Sequence, residues 1–281
     1  MHPVLLDIKG FKIYTYGPIM ALGFLLAFVL LYHIVRRRGD DVEFYMDLYL
    51  WLIIGGVAGA KLLYSFIEYQ EFFAHPLRML NCRNGGLVWY GGVIADVFVV
   101  IWYSRRRGQQ VFRVMDNLVS PLALGLAIGR WGCLMGGCCF GKVCSYPWAI
   151  VYPEGVNATA GLPVHPTPIY ESFASLIICI TIYLVVRKGV RTGIPTLLWF
   201  TLYPLARFII EFYRGDEIRG YLIQTDAVSL STSQFIGLII VTAAAANLLY
   251  LWRHPEAIAE VPAEKEAPPK KTPTPRKEGK K

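Results

Sequence analysis

The chain alternates between long apolar runs and short charged connections. A helix needs about 20 apolar residues to cross a bilayer. Runs of that order lie at roughly Tyr16–Val35, Phe44–Phe66, Leu87–Tyr103, Met115–Leu134, Pro168–Val186, Ile194–Tyr213 and Ser233–Leu251. The third and fourth are short or polar at one end. The pattern predicts an all-α, polytopic integral membrane protein with about seven transmembrane helices. Composition points the same way: 55% of residues are hydrophobic and the mean hydropathy is +0.43, too apolar for a soluble domain.

A net charge of +8 could suggest nucleic acid as a partner. The charges, however, cluster between the apolar runs, where topology signals belong, so nucleic acid is excluded. Arg36, Arg37 and Arg38 follow the first run. Arg105, Arg106, Arg107 and Arg113 follow the third, and Arg187, Lys188 and Arg191 the fifth. With the C-terminal segment this side carries eighteen Lys and Arg, against seven on the other (Lys9, Lys12, Arg78, Arg83, Lys142, Arg214 and Arg219). The bias predicts an outside N-terminus and a cytoplasmic C-terminus. His2 to Lys12 is mixed in character and lacks the basic start and cleavage site of a signal peptide, so the first span is expected to be retained. Residues 1–253 then form a membrane domain. Residues 254–281, including "VPAEKEAPPKKTPTPRKEGKK", are a disordered basic cytoplasmic tail. That tail either solubilises the chain or is drawn weakly to anionic lipid.

Gly55 and Gly59, and Gly125 and Gly129, stand four apart, the spacing at which helices approach closely. Ionisable residues inside spans are functional candidates by default. Here they are Lys61, Asp96, Arg130, Glu171, Arg207 and Glu211, with Arg214 just beyond. In "ARFIIEFYRGD", Arg207, Glu211 and Arg214 share one helical face. Glu211 can neutralise one arginine well and two poorly. The surplus charge calls for an anion, and arginine's planar fork suits phosphate. Simple structural pairing is the other reading. Arg130 could converge on the same place. "YTYGP" and "NGGLVWYGG" bring aromatics and glycines to span ends, where Tyr90 reads more readily as an interfacial anchor than as a catalyst.

Cys133, Cys138, Cys139 and Cys144 lie within twelve residues of one another. Their spacing matches neither a zinc site nor a C-x-x-C redox pair. No metal or other cofactor is expected. The cluster reads as small polarisable packing residues, with Cys82 in an outer loop available for one disulfide.

Six of these segments, in order, resemble the prolipoprotein diacylglyceryl transferase family: "HPVLL" with "YTYG", "GGVAGAKLLYSF", "NGGLVWYGG", "DNLVSPLALGLAIGRWGCLMGGCCFG", "HPTPIYE" and "ARFIIEFYRGD". The resemblance implies an enzyme of the bacterial inner membrane. It would move the diacylglyceryl group of phosphatidylglycerol onto the lipobox cysteine thiol of preprolipoprotein signal peptides, releasing glycerol phosphate. It implies catalytic roles for Arg207, Glu211, Arg214, Tyr90 and Tyr16, and substrate-binding roles for Arg130, Glu171, Gly91 and Gly141. This chain departs from the family pattern at Tyr90, where histidine is usual, and at Cys133, Gly136 and Cys138, where asparagine, asparagine and glutamate are usual. The alternatives are a related membrane lipid transferase with another acceptor, or a non-catalytic phospholipid-binding or transport protein.

Overall fold

The computed structural model describes residues 4–8, 11–70, 86–153, 159, 161–215, 221–224 and 229–254. Among them are seven α-helices: α1 (Tyr16–Arg38), α2 (Val42–Ile67), α3 (Trp89–Arg106), α4 (Val111–Gly136), α5 (Thr167–Arg187), α6 (Ile194–Glu211) and α7 (Thr232–Arg253). Each coincides with one apolar run of the sequence. Five of them, α1, α2, α4, α5 and most of α7, are long and apolar enough to cross a membrane. The other two, α3 and α6, have 18 residues each. The fourth run, expected to be weak, is therefore among the long spans, because its helix begins four residues before Met115.

The chain is mostly helical, as the all-α reading expects, with short strands confined to the connections between helices. Three antiparallel two-stranded sheets stand in the connections: β1 (Val4–Ile8) with β2 (Phe11–Tyr14), β3 (Ile150–Val151) with β4 (Pro163–Val164), and β5 (Tyr221–Gln224) with β6 (Ser229–Ser231). The physical reason is backbone accounting. Long loops that pack on helix ends must pair their own N–H and C=O groups, and short hairpins do so locally.

Local signals set the helix ends. Asp41 caps α2 by accepting from the Phe44 N–H at 3.2 Å. Gly39 and Gly137 end α1 and α4 in the left-handed conformation, at φ +69° and +70°. Ser231 and Gln234 form a reciprocal capping box at the start of α7.

α4 is the hub, packed against α1 on one side and α5 on the other, while α2 pairs with α3 and α6 with α7. The expected close-packing glycines do pack. A Cβ on Gly59 would lie 2.5 Å from the Gly91 carbonyl oxygen, and one on Gly129 would lie 3.1 Å from the Met20 sulfur. Two apolar clusters fill the bundle, one around Leu31, Tyr45, Leu48 and Val114 and one around Ile34, Ala123, Ile178 and Ile182. Meanwhile Leu62, Phe66, Phe98 and Ile177 point outward, between 63% and 79% exposed. Apolar side chains that bare on helices this long match a lipid-facing perimeter.

The bundle has two polar ends. At one, Asp40 pairs with Arg113 at 2.7 Å and accepts from Asn117, which in turn receives Arg38 at 2.8 Å. There the fully buried carboxylate of Asp116 caps α6, accepting from the Gly193 N–H at 2.7 Å, the Thr196 N–H at 3.0 Å and the Thr196 hydroxyl at 2.6 Å. The other end carries the candidate site.

Candidate functional site

Five of the seven ionisable residues singled out within or just beyond the spans converge. Arg130 comes from the last third of α4, Glu171 from the second turn of α5, and Arg207 and Glu211 from the last turns of α6, with Arg214 just after it. Glu171 is the hub. Its Oε2 meets Arg130 Nε at 2.5 Å, and its Oε1 meets Arg214 Nη1 at 3.0 Å and Arg207 Nη1 at 3.5 Å. Glu211 bridges the two arginines of its own segment, at 2.5 Å to Arg207 and 3.8 Å to Arg214. The i, i+4 and i+7 spacing did place these three side chains on one face.

Three guanidiniums around two carboxylates leave one surplus positive charge. The cluster is largely removed from bulk water: Glu171 is 5% exposed and Arg214 6%. Charges in such a place are stable only when paired and hydrogen-bonded. Arg207 is the exception on the second count. Its Nη1 and Nη2 atoms are buried and have no aligned hydrogen-bond acceptor, although Nη1 stands within ion-pair distance of both carboxylates.

Two residues at the start of α7, its N-cap Ser231 and Ser233 in its first turn, complete the network. The hydroxyls of Ser231 and Ser233 donate to Glu211 Oε1 at 3.0 and 2.8 Å. They aim its other oxygen at Arg207. The sequence reading passed over them, although the S-x-x-Q capping pattern at Ser231 marked a helix start.

Backbone pairing fixes Arg214. Gly141 and Arg214 form an antiparallel bridge, with the Lys142 N–H donating to the Tyr213 carbonyl at 2.8 Å and the Gly215 N–H to the Phe140 carbonyl at 3.2 Å. Only glycine fits at 141, since a Cβ there would lie 2.5 Å from the His165 Cβ and 2.8 Å from the Tyr213 oxygen. His165 is buried beside it, with Nδ1 3.1 Å from the Tyr170 hydroxyl. Tyr16, the first residue of α1, lies against Gly132 and within electrostatic range of Arg130.

Tyr90 and Gly91 stand on the first turn of α3, on the neighbouring α2–α3 pair, with Tyr90 56% exposed. Gly91 lacks a Cβ for a packing reason, as one would meet the Gly59 carbonyl oxygen at 2.3 Å. The remaining two ionisable residues, Lys61 and Asp96, also belong to that pair. Lys61 is buried, donating to the Gly86 carbonyl at 3.4 Å, and Asp96 faces Gly56.

The cysteines gather more tightly than their spacing foretold. The Sγ atoms of Cys133, Cys138 and Cys139 all lie within 4.8 Å of one another. All five described cysteines are thiols; the expected partner Cys82 falls outside the described residues. Arg130 Nη1 approaches Cys139 Sγ at 4.0 Å. Hydrogen bonds from Cys133 and Cys138, then the Arg214 and Arg130 charges, hold the Cys139 thiol well below the usual thiol range.

A bundle of long apolar helices, with a buried cluster of arginines and carboxylates at one polar end, defines a polytopic membrane protein with a built charged site. The chain belongs to the prolipoprotein diacylglyceryl transferase family, whose sequence pattern it matches over residues 3–250. It is 34% identical to the phosphatidylglycerol–prolipoprotein diacylglyceryl transferase of Clostridium tetani, across 86% of this chain and 94% of that one. It is 29% identical to the enzyme of that name from Synechococcus elongatus, across 92% and 90%. It is 31% identical to a second such transferase of Clostridium perfringens, across 85% and 91%.

Proposed function

We propose that the protein transfers the diacylglyceryl group of phosphatidylglycerol to the lipobox cysteine of preprolipoproteins, at the cluster centred on Glu171. The acceptor sulfur, as thiolate, attacks the glyceryl carbon. A C–S bond forms as the C–O bond breaks, and the electron pair leaves with the phosphate. The thiol proton is released as the departing glycerol phosphate takes on its second charge.

The observation that carries this reading is the surplus guanidinium charge, with the Arg207 terminal nitrogens lacking an aligned acceptor. A phosphate supplies both the missing anion and the missing acceptor. Arg130 holds the headgroup phosphate. Arg207 and Arg214 stabilise the charge that builds on the leaving oxygen, which is the kind of preorganised electrostatics that lowers such barriers. Glu171 and Glu211 hold the three forks in place. Tyr16 and Tyr90 line the approach, with Gly141 fixing Arg214 and Gly91 admitting the close α2–α3 contact.

The same reading places all seven helices across the bacterial inner membrane, with residues 1–253 as the transferase domain and 254–281 as a cytoplasmic tail. The lysine and arginine bias supports an outside N-terminus, which sets the Arg130 cluster toward the outer leaflet. The test is direct. Purified protein, phosphatidylglycerol and a lipobox peptide are incubated, and mass spectrometry looks for the diacylglyceryl thioether. Absence of that product from folded, lipid-binding protein overturns the reading.

A further inference from the structure

We propose that the thiols of Cys133, Cys138 and Cys139 form a three-thiolate site for a thiophilic divalent ion of the zinc class, with a fourth position open to the acceptor thiol. The metal site stands on its own geometry; the identity of the incoming thiol rests on the transferase reading.

The backbone builds the cluster. Cys133 is on the last turn of α4, and Gly137 then turns the chain back through a left-handed residue. The Cys138 N–H donates to the Cys133 carbonyl at 3.2 Å. Cys139 follows at φ +62°, the only non-glycine residue with a positive φ among those described. A side chain held in that region costs conformational energy and points to a position fixed by function. The Thr167 hydroxyl pins the turn to α5, donating to the Cys139 carbonyl at 2.6 Å.

The sulfur spacing is close to what an ion demands. Zinc–thiolate bonds of about 2.3 Å place tetrahedral sulfurs roughly 3.8 Å apart. The observed separations, all within 4.8 Å, exceed that spacing by at most about 1 Å. Cys144 does not complete a closed set; it stands outside this group and its backbone pairs with Pro163 at 3.0 Å. Three protein ligands with an open fourth position is the pattern of reactive rather than structural zinc. Cys138 is exposed, which gives an entry path.

Neighbouring arginines favour the loaded state. Three thiolates on a divalent ion make a complex of net charge −1, and whatever thiol protons remain are released to solvent as the ion binds. That anion lies beside Arg130, whose Nη1 already approaches Cys139 Sγ at 4.0 Å. A fourth, incoming thiol loses its proton on binding, because a coordinated thiol is deprotonated outright. Its sulfur then forms the C–S bond to the glyceryl carbon as the C–O bond breaks and its electron pair leaves on the phosphate, and the neutral thioether leaves the ion. The site thereby supplies the thiolate beside the arginines that take the phosphate charge.

The test uses full-length protein in nanodiscs, stripped with a chelator and reduced. Cadmium ions alone are added first. The expected result is one ion per chain and an ultraviolet thiolate-to-metal charge-transfer band. That band should be lost in Cys138→Ser and Cys139→Ser and kept in Cys144→Ser. Should a serine variant fail to fold, protection of the three thiols of the unaltered protein from alkylation by cadmium gives the same answer. Cobalt-loaded protein then receives the lipobox peptide, whose thiol should shift the visible bands while its Cys→Ser version does not. No charge-transfer band, or a band indifferent to Cys138→Ser and Cys139→Ser, overturns the metal site. Full thioether formation by stripped protein overturns the thiol-activating role and leaves the transferase reading intact. Metal and thiol binding without thioether product would sink the transferase reading and leave the metal site standing.

Discussion

Arg130 reaches Glu171 at 2.5 Å across the α4–α5 contact, with the arginine 20% exposed and the glutamate 5%. The carboxylate fixes the guanidinium through Nε, and Nη1 beyond it lies 4.0 Å from Cys139 Sγ. Arg130→Lys keeps the charge but removes the planar fork and the Nε contact. Turnover should fall by about 10²–10³, the size of losing one preorganised donor. Arg130→Ala should be lower again. The measurement is thioether formation per folded molecule, and near-normal turnover of the alanine variant removes Arg130 from the site.

Arg207 and Arg214 share both Glu171 and Glu211. Residues tied into one network do not act independently. Single changes Arg207→Gln and Arg214→Gln should each depress turnover strongly. The double variant should lose much less than the sum, with a coupling of about 0.5–3 kcal/mol. Glu211→Gln should fold, since Ser231 and Ser233 can still donate to its oxygen, while its affinity for phosphatidylglycerol changes. Strict additivity in the cycle would show independent structural charges.

Gly141 and Gly136 make a matched pair of tests. A Cβ at 141 would press on the His165 Cβ at 2.5 Å and on the Tyr213 carbonyl at 2.8 Å, both part of the clamp on Arg214. Gly141→Ala should destabilise by about 1–3 kcal/mol, as overpacking does, and lower turnover per folded molecule by displacing Arg214. Nothing lies within 4 Å of a Cβ on Gly136, which ends α4. Gly136→Ala should be neutral or stabilise by up to about 1 kcal/mol. Thermal unfolding in detergent separates the two, and equal shifts would refute the clamp.

The legibility of this chain follows from the range of each interaction. Helix positions were readable because length and hydropathy alone decide what spans lipid. Arg207, Glu211 and Arg214 were readable together because four- and three-residue steps on a helix fix a face. Arg130 and Glu171 could be named but not joined, since the α4–α5 pairing is a tertiary fact. The hairpins escaped notice because strands of two to five residues carry too little periodicity. The thiol cluster escaped because spacing rules assume regular ligand loops. Here a left-handed Gly137 and Cys139 bring neighbours in sequence onto one point.

Asp116 tests whether stability and chemistry can be separated along one helix. It is fourteen residues before Arg130 on α4, about 21 Å at 1.5 Å per residue. Its two oxygens accept three hydrogen bonds from Gly193 and Thr196, fixing the start of α6. Asp116→Asn keeps the shape but turns an acceptor into a donor, so at least one buried N–H loses its partner. An unsatisfied buried group costs about 1–3 kcal/mol. Asp116→Ala removes all three bonds and should cost more. Both variants should unfold at lower temperature, yet retain turnover per folded molecule when assayed well below that transition. A large loss of turnover without a fall in thermal stability would mean that Asp116 reports to the arginine cluster through α6, at whose far end Arg207 and Glu211 sit.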